Sequence, residues 1–304
     1  MISILRFDMK LLLTGSTGYI GSALLKCLRA RGDEVVAIGR LVDGEILSER
    51  LAAHKNQLDG CIHLASLFLT AHQEGQIPAL IQSNVMFGTQ LLEACVKLGC
   101  RWFINTGTFW QHYNMDNRRD YSPVNLYAAT KQAFEDILKY YREAYGIQTA
   151  TLELTDTYGS DDPRPKLINL WCRYLNSVES LPMSSGTQEI ELVHRDDVVS
   201  GFATLARLMN TNDSRVIGNG EIYILPTSCV MTLREMATVF ERATGGRLPI
   251  IWGGRADQKR GMRKVSHVGI VLPEWEPQVS LFDGFSDVYS CYIRSLQHSN
   301  NTHN

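Results

Sequence analysis

The chain has 304 residues, 44% of them hydrophobic and 20% charged, with a formal net charge of −2, which describes an ordinary globular protein with room for one large domain or two intimate ones. So even a balance argues against nucleic acid as the main partner, because phosphate binding needs a concentrated basic surface. No run of 18 apolar residues occurs, and the opening MISILRFDMK lacks the apolar core and small-residue cleavage site of a secretory signal, so neither a membrane helix nor export is expected.

Residues 10–104 alternate strand-like and helix-like segments. Lys10–Leu13 is a short apolar run. Tyr19–Arg31 has helical periodicity and stops at Gly32. Glu34–Ile38 and Cys61–Ala65 read as buried strands, Ile77–Leu98 as a long helix ending at Gly99, and Arg101–Asn105 as a further strand. Tyr127–Tyr145 reads as a helix ending at Gly146, and Thr149–Leu154 as the strand after it. This βαβα rhythm implies a doubly wound parallel sheet with helices on both faces.

Beyond Thr155 the rhythm loosens. Ser160–Pro165 is a turn-rich loop, Leu167–Leu175 looks helical and Ile190–Val193 strand-like, with a helix opening near Asp196–Asp197. Glu221–Leu225 is strand-like, and Thr232–Thr244 is an amphipathic helix opened by a Thr-x-x-Glu capping pattern. The seven cysteines are scattered, odd in number and without a CxxC pair. They predict buried free thiols in a reducing compartment, hence the cytoplasm, and no metal site.

The first strand runs into Thr14-Gly15-Ser16-Thr17-Gly18-Tyr19-Ile20-Gly21. Glycines spaced G-x-x-G-x-x-G between a strand and a helix let the backbone turn, let a pyrophosphate approach, and let helix and strand pack closely. The helix N-terminus then offers free N–H groups to the phosphates. A dinucleotide is therefore expected. At the end of the second strand, a carboxylate would hold the ribose 2′-hydroxyl of NAD. That place holds Gly39-Arg40, and Arg40 can pair with a 2′-phosphate. NADP(H) is the preferred cofactor, with NAD(H) as the alternative.

Tyr127 and Lys131 form a Tyr-x-x-x-Lys pair, placed on one helix face. A lysine ammonium below the phenol lowers the tyrosine's pKa and makes it a usable acid or base. Thr106, with Thr108 second, offers a hydroxyl at the carboxyl edge of the sheet, where ligands bind in such folds.

The segments TGSTGYIG, CIHLAS, NVMFGTQLLEAC, FINTGTFW, YAATK, TYGSDDP, LVHRDDVV and LPEWEP follow one another in the order of extended short-chain dehydrogenases. Over nearly its whole length the chain resembles the nucleotide-sugar epimerase/dehydratase family, and in particular its 4-ketoreductases. The resemblance implies a Rossmann-type α/β fold, with a cofactor domain over 1–155. Residues 156–304 would be mainly a smaller substrate-binding lobe, with some segments returning to the first sheet. It implies a Thr106–Tyr127–Lys131 catalytic set. It places Gly15, Thr17, Gly18, Tyr19, Ile20, Gly21, Leu64, Ala65, Ser66 and Asn84 at the cofactor, beside Arg40, Tyr127 and Lys131. The V-D-D segment of the family appears as His194-Arg195-Asp196-Asp197. His194 reads as a structural hydrogen-bonding group, with a catalytic base as the other reading.

Two departures narrow the reaction. The family's 4,6-dehydratases carry Asp-Glu directly after the catalytic threonine; here those positions are Gly107 and Thr108. The branch that makes GDP-fucose carries a cysteine where this chain has Thr108, and a threonine is too weak an acid to replace it. The expectation is reduction of the C4 ketone of a nucleotide-linked 4-keto-6-deoxy or 3,6-dideoxy sugar. Tyr127 would supply the proton, and Arg164, Lys166, Arg255, Arg260 and Thr108 would hold substrate. A 4-epimerase retaining NAD, a reductase of a non-nucleotide carbonyl, and an NADP(H)-binding sensor without turnover are the other readings. The helices over 77–98 and 127–145 carry more apolar residues than one buried stripe needs, consistent with a homodimer.

Overall fold

The computed structural model describes residues 8–39, 45–113, 121–216, 218–265 and 267–301, with side chains to residue 297. Arg40 therefore lies outside the described residues. In chain order, the first half contains β1 Lys10–Thr14, α1 Tyr19–Ala30, β2 Glu34–Ile38, α2 Leu47–Arg50, β3 Gly60–His63, α3 Ile77–Ile81, α4 Phe87–Leu98, β4 Trp102–Thr108, α5 Leu126–Tyr145 and β5 Gln148–Leu154. The second half contains β6 Asp156–Tyr158, α6 Leu167–Tyr174, β7 Leu181–Met183, β8 Glu189–Ile190, β9 Leu192–His194, α7 Arg195–Asn210, β10 Asn219–Ile224, β11 Met231–Thr232, α8 Leu233–Thr244, β12 Ile250–Trp252, β13 Ile270–Val271 and α9 Leu281–Asn301.

Seven strands form one parallel sheet in the order β13-β10-β5-β4-β3-β1-β2. Its central strands are apolar on both faces, as a sheet covered on both sides requires. Leu11, Leu13, Ile62, Trp102 and Ile104 pack with α1 and α7 on one face. Leu12, Cys61 and Phe103 pack with α4 and α5 on the other. Residues after 155 build a third core, in which Tyr158, Trp171, Phe240 and Phe285 join α6, α8 and α9. Two of their strands, β10 and β13, extend the main sheet.

Two elements differ from the sequence expectation in ways that matter for the site. The helix expected over 77–98 is one helical run interrupted by a π-turn at Gln82–Met86, and Asn84 sits in that turn. Strand β4 runs to Thr108 rather than Asn105, so Thr106 lies within the ladder, not beyond it. A strand ending at Asn105 is what a purely apolar run suggests; Thr106, Gly107 and Thr108 continue the pairing against Leu152, Glu153 and Leu154 of β5.

Candidate active site

The order β3-β1-β2 means that the chain leaves β1 in one direction and returns on its other side through β3. Loops after β1 and β3 therefore part at a crevice, the usual ligand position in such sheets. Gly15 has φ +71°, and a Cβ there would stand 2.8 Å from Ala65 N. Only glycine allows this turn beside the Leu64-Ala65 backbone. A Cβ on Gly21 would stand 2.0 Å from Gly15 O, so the helix packs directly onto the turn. Helix α1 begins after Gly18 with no side-chain cap and no acidic residue in its first turn. Its N–H groups point into the crevice unclaimed by side chains, which fits a pyrophosphate.

Thr17 is exposed in this loop, whereas Ile20 packs into the core beside α7. Tyr19 turns towards the turn after β6. Its hydroxyl donates to Ser160 O at 3.2 Å, and its ring lies under Arg164 and Arg195 at 4.8 and 5.1 Å. Burial pushes its phenol up, against the pull of Arg195. Tyr19 and Ile20 can therefore face a cofactor only through their backbone.

His63 closes β3. Its Nδ1 lies 2.7 Å from Thr14 Oγ1, and its carbonyl accepts from Thr106 Oγ1 at 2.8 Å. Burial, with the nearby Lys131 charge, lowers its pKa to about 3, so the ring is neutral. Asn84, 2% exposed, fastens the next stretch. Its Oδ1 accepts from Leu67 N at 2.7 Å and Ser66 Oγ at 3.1 Å. Its Nδ2 donates to Leu67 O and Thr130 Oγ1, both at 3.0 Å. The sequence placed Asn84 at the cofactor. Its amide is engaged in holding the 66–67 loop to α5.

Helix α5 starts at Asn125, whose Oδ1 accepts from Ala128 N at 3.0 Å. That cap sets Tyr127 in the first turn and Lys131 one turn later. Burial pushes the Tyr127 phenol up to about 12, opposed by a hydrogen bond with Ser66 and by Arg164. The sequence expected Lys131 to lower this phenol; in the structure burial dominates, and Tyr127 rests protonated. Lys131 is also buried, and burial lowers its pKa to about 8. The rings of Phe68 and Trp110 stand edge-on to Tyr127, with centroids at 5.0 and 6.5 Å. Phe68 was not singled out by the sequence, because one aromatic in a loop carries no periodic signal.

Thr108 is buried, and its Oγ1 accepts from Trp110 N at 3.4 Å while its N–H donates to Gln111 Oε1 at 3.0 Å. Thr106 is the more open of the two hydroxyls. Arg164 is held by Asp162 through two bonds of 2.7 Å. Lys166 lies 4.9 Å over Phe68 and 3.7 Å from Asp156, which puts both cations on the Tyr127 side. Arg260 reaches back to the segment before α5, donating to Pro123 O at 2.7 Å and Ser122 Oγ at 3.0 Å. Arg255 is exposed beside β7. His194 accepts from Asp196 N at 3.3 Å and caps α7, the structural role. Asp197 accepts from Gln278 N and Val279 N at 2.9 and 3.1 Å, and Trp275 Nε1 donates to Asp197 O at 2.9 Å, so the segments LVHRDDVV and LPEWEP hold each other.

A family model described as the NAD dependent epimerase/dehydratase family matches residues 11–219. The chain belongs to this family. Membership makes it an oxidoreductase-type enzyme built around a nicotinamide cofactor. A CDP-abequose synthase of Salmonella typhimurium strain LT2 is 28% identical over 64% of this chain and 69% of the relative. A UDP-glucose 4-epimerase of Mycolicibacterium smegmatis is 24% identical over 95% of this chain and 100% of the relative. Among solved structures, MoeE5 in complex with UDP-glucose and NAD shares the fold, with a TM-score of 0.78 at 22% identity over 94% of this chain and 99% of that one. Among the described residues no helix is long and apolar enough to cross a membrane, and no cluster of metal-ligating side chains occurs.

Proposed function

We propose that this epimerase/dehydratase-family enzyme reduces the C4 ketone of a nucleotide-linked 4-keto-6-deoxy or 3,6-dideoxy sugar with NADPH. The observation that carries the reading is Tyr127. Burial keeps its phenol protonated, with a pKa of about 12, at the carboxyl edge of the sheet, ready to give a proton to an oxygen gaining charge. Thr106 can turn its hydroxyl from His63 O towards the same oxygen and orient it. Lys131, charged below about pH 8, favours the phenolate left behind. The nicotinamide, when bound, supplies the hydride. Gly15, Thr17, Gly18, Gly21, Leu64, Ala65 and the backbone of Tyr19 and Ile20 would hold the cofactor, with Arg40 selecting the 2′-phosphate. Arg164 and Lys166 would face the substrate's phosphates.

Gly107 and Thr108, standing where the dehydratases carry their Asp-Glu pair, also support reduction. A Cβ at Gly107 would stand 2.8 Å from Thr151 Cγ2, so the dehydratases' aspartate does not fit there. The 28% identity to a CDP-abequose synthase agrees with a deoxysugar. The seven free cysteines suit a cytoplasmic enzyme. A homodimer would cover Ile77, Ile81 and Met86 of the π-interrupted helix and Tyr140 and Tyr145 of α5, all exposed in the single chain. The full-length similarity to a UDP-glucose 4-epimerase favours a second reading, epimerisation with retained NAD. The test is NADPH consumption on addition of freshly generated nucleotide-linked 4-keto-6-deoxysugars, with NADH in parallel. Consumption of NADPH by one of them supports reduction; isomerisation of a plain nucleotide sugar without net cofactor change supports the epimerase.

A further inference from the structure

Lys131 is a cation with 3% exposure. A buried ammonium stays charged only if an anion lies close by. The groups that act on it, or on the carboxylate one turn further on, come from four elements. On α5, Tyr127 precedes it by one turn and is neutral, while Glu135 follows by one turn on the same face. On β3, His63 is neutral, held so by burial and by Lys131 itself. The turn after β4 brings Gln111 and His112, and β5 brings Glu153. Arg164, from the lobe, acts on Tyr127.

Two carboxylates are thus available, and the structure separates their tasks. His112 Nε2 lies 3.1 Å from Glu153 Oε2, and both side chains are buried. Glu153 is met by that ring. Among the described residues, the hydrogen-bond partner of Glu135 is neutral: Gln111 Nε2 donates to its Oε1 at 3.1 Å, and the same amide donates to Gln132 Oε1 at 3.2 Å. The other end of Gln111 accepts from Thr108 N at 3.0 Å. One buried amide, 0% exposed, therefore pins Glu135 to the end of the catalytic strand without neutralising it. Gly107 lies beside this contact, since a Cβ there would stand in ordinary van der Waals contact, 3.5 Å, with both Gln111 Oε1 and Glu135 Oε1.

We propose that Glu135 is a positioning residue whose charge, held in place by Gln111, keeps Lys131 protonated beneath Tyr127. Its value to turnover rests on the reductase reading; the electrostatic link does not. The two groups are charged together in a defined window. Burial raises Glu135 to about pH 7, with Gln111, His112 and Lys131 pulling it down and Glu153 pushing it up. Burial lowers Lys131 to about 8, with Glu135 holding it up. Between these two values the ammonium and its counter-charge coexist. Above the upper one Tyr127 loses the cation that favours its phenolate.

The experiment is a substrate-free titration of protein labelled with carbon-13 at the lysine Cε. The Lys131 resonance is identified by its loss in Lys131→Arg. The wild type should titrate near pH 8 with a second inflection near 7, where Glu135 protonates. Glu135→Gln keeps an acceptor for Gln111 but no charge, and should lower the lysine midpoint by about one pH unit or more. Glu153→Gln should leave that midpoint in place. An unchanged midpoint in Glu135→Gln, or an equal fall in Glu153→Gln, overturns the proposal. Should Glu135→Gln not fold, the wild type decides alone: a single inflection, with none where Glu135 protonates, overturns it. A lowered midpoint in a protein that reduces no 4-keto sugar supports the link while removing the reductase reading.

Discussion

Asn84 Nδ2 donates to Thr130 Oγ1 at 3.0 Å, and Thr130 Oγ1 in turn donates to Tyr127 O at 2.7 Å. The π-turn thereby holds the first turn of α5 and, through Asn84 Oδ1, the Ser66–Leu67 loop. A π-turn widens the helix by one residue and turns that residue inward, which is why such turns recur at functional sites.

Replacing Asn84 with Ala should therefore act on both stability and the site. It leaves Leu67 N, Leu67 O and Thr130 Oγ1 to find other partners, and unsatisfied buried groups cost about 1–3 kcal/mol each before water compensates. Urea denaturation should show a loss of about 2–4 kcal/mol. NADPH affinity should fall with it, because Leu67 adjoins the crevice.

Tyr127→Phe removes the proposed proton donor and its hydrogen bond with Ser66 but keeps the ring contacts, since Phe68 and Trp110 stand edge-on to the ring. Ketone reduction should fall by about 10²- to 10⁴-fold. NADPH binding, followed by fluorescence, should be unchanged.

Gly15→Ala tests the cradle. The positive φ and the 2.8 Å approach to Ala65 N leave no relaxed position for a methyl group. The β1 and β3 loops must separate, and NADPH titration should show at least about tenfold weaker binding with the circular dichroism spectrum retained.

His63 gives a pH dependence of stability. Its pKa falls from 6.5 to about 3 on folding, chiefly through burial. The unfolded chain therefore binds the extra proton first. The stability present above pH 6.5 is lost as pH falls towards 3. Between pH 6.5 and 5, above most carboxylate titrations, unfolding free energy should drop by about 2 kcal/mol from this residue. In His63→Asn that part of the slope should vanish.

The dimer face can be tested by charge. Ile81 and Met86 are 40% and 47% exposed, and Ile81→Asp with Met86→Lys should shift a C2 dimer to monomer on size exclusion with no change in unfolding midpoint of the isolated chain.

Much of this was legible in the sequence because it rests on local rules. The glycines stand where a turn and a close approach demand them, and the strand runs carry apolar residues for both sheet faces. Tyr127 and Lys131 declare one face by their spacing. Glu135 continues the same spacing and was equally visible, yet a carboxylate on a helix normally reads as a solvated group; only the fold shows Gln111 folded over it. Asn84 was found, but its task was not. A periodic pattern does not announce a π-turn, and the partners of its amide come from 17 and 46 residues away. Arg260 was read as a phosphate ligand because cations in loops suggest one; its bonds to Ser122 and Pro123 depend on a long-range return of the chain.

The most direct test of reduction at C4 is the fate of deuterium from NADPH carrying deuterium at both C4 positions of the nicotinamide, with CDP- and dTDP-linked 4-keto-6-deoxysugars as acceptors. Reduction places one deuterium on C4 of the sugar product, forms one NADP⁺ per product, and is lost on both counts in Tyr127→Phe. Unlabelled product, or conversion of a plain nucleotide sugar with no NADPH oxidised, would contradict it.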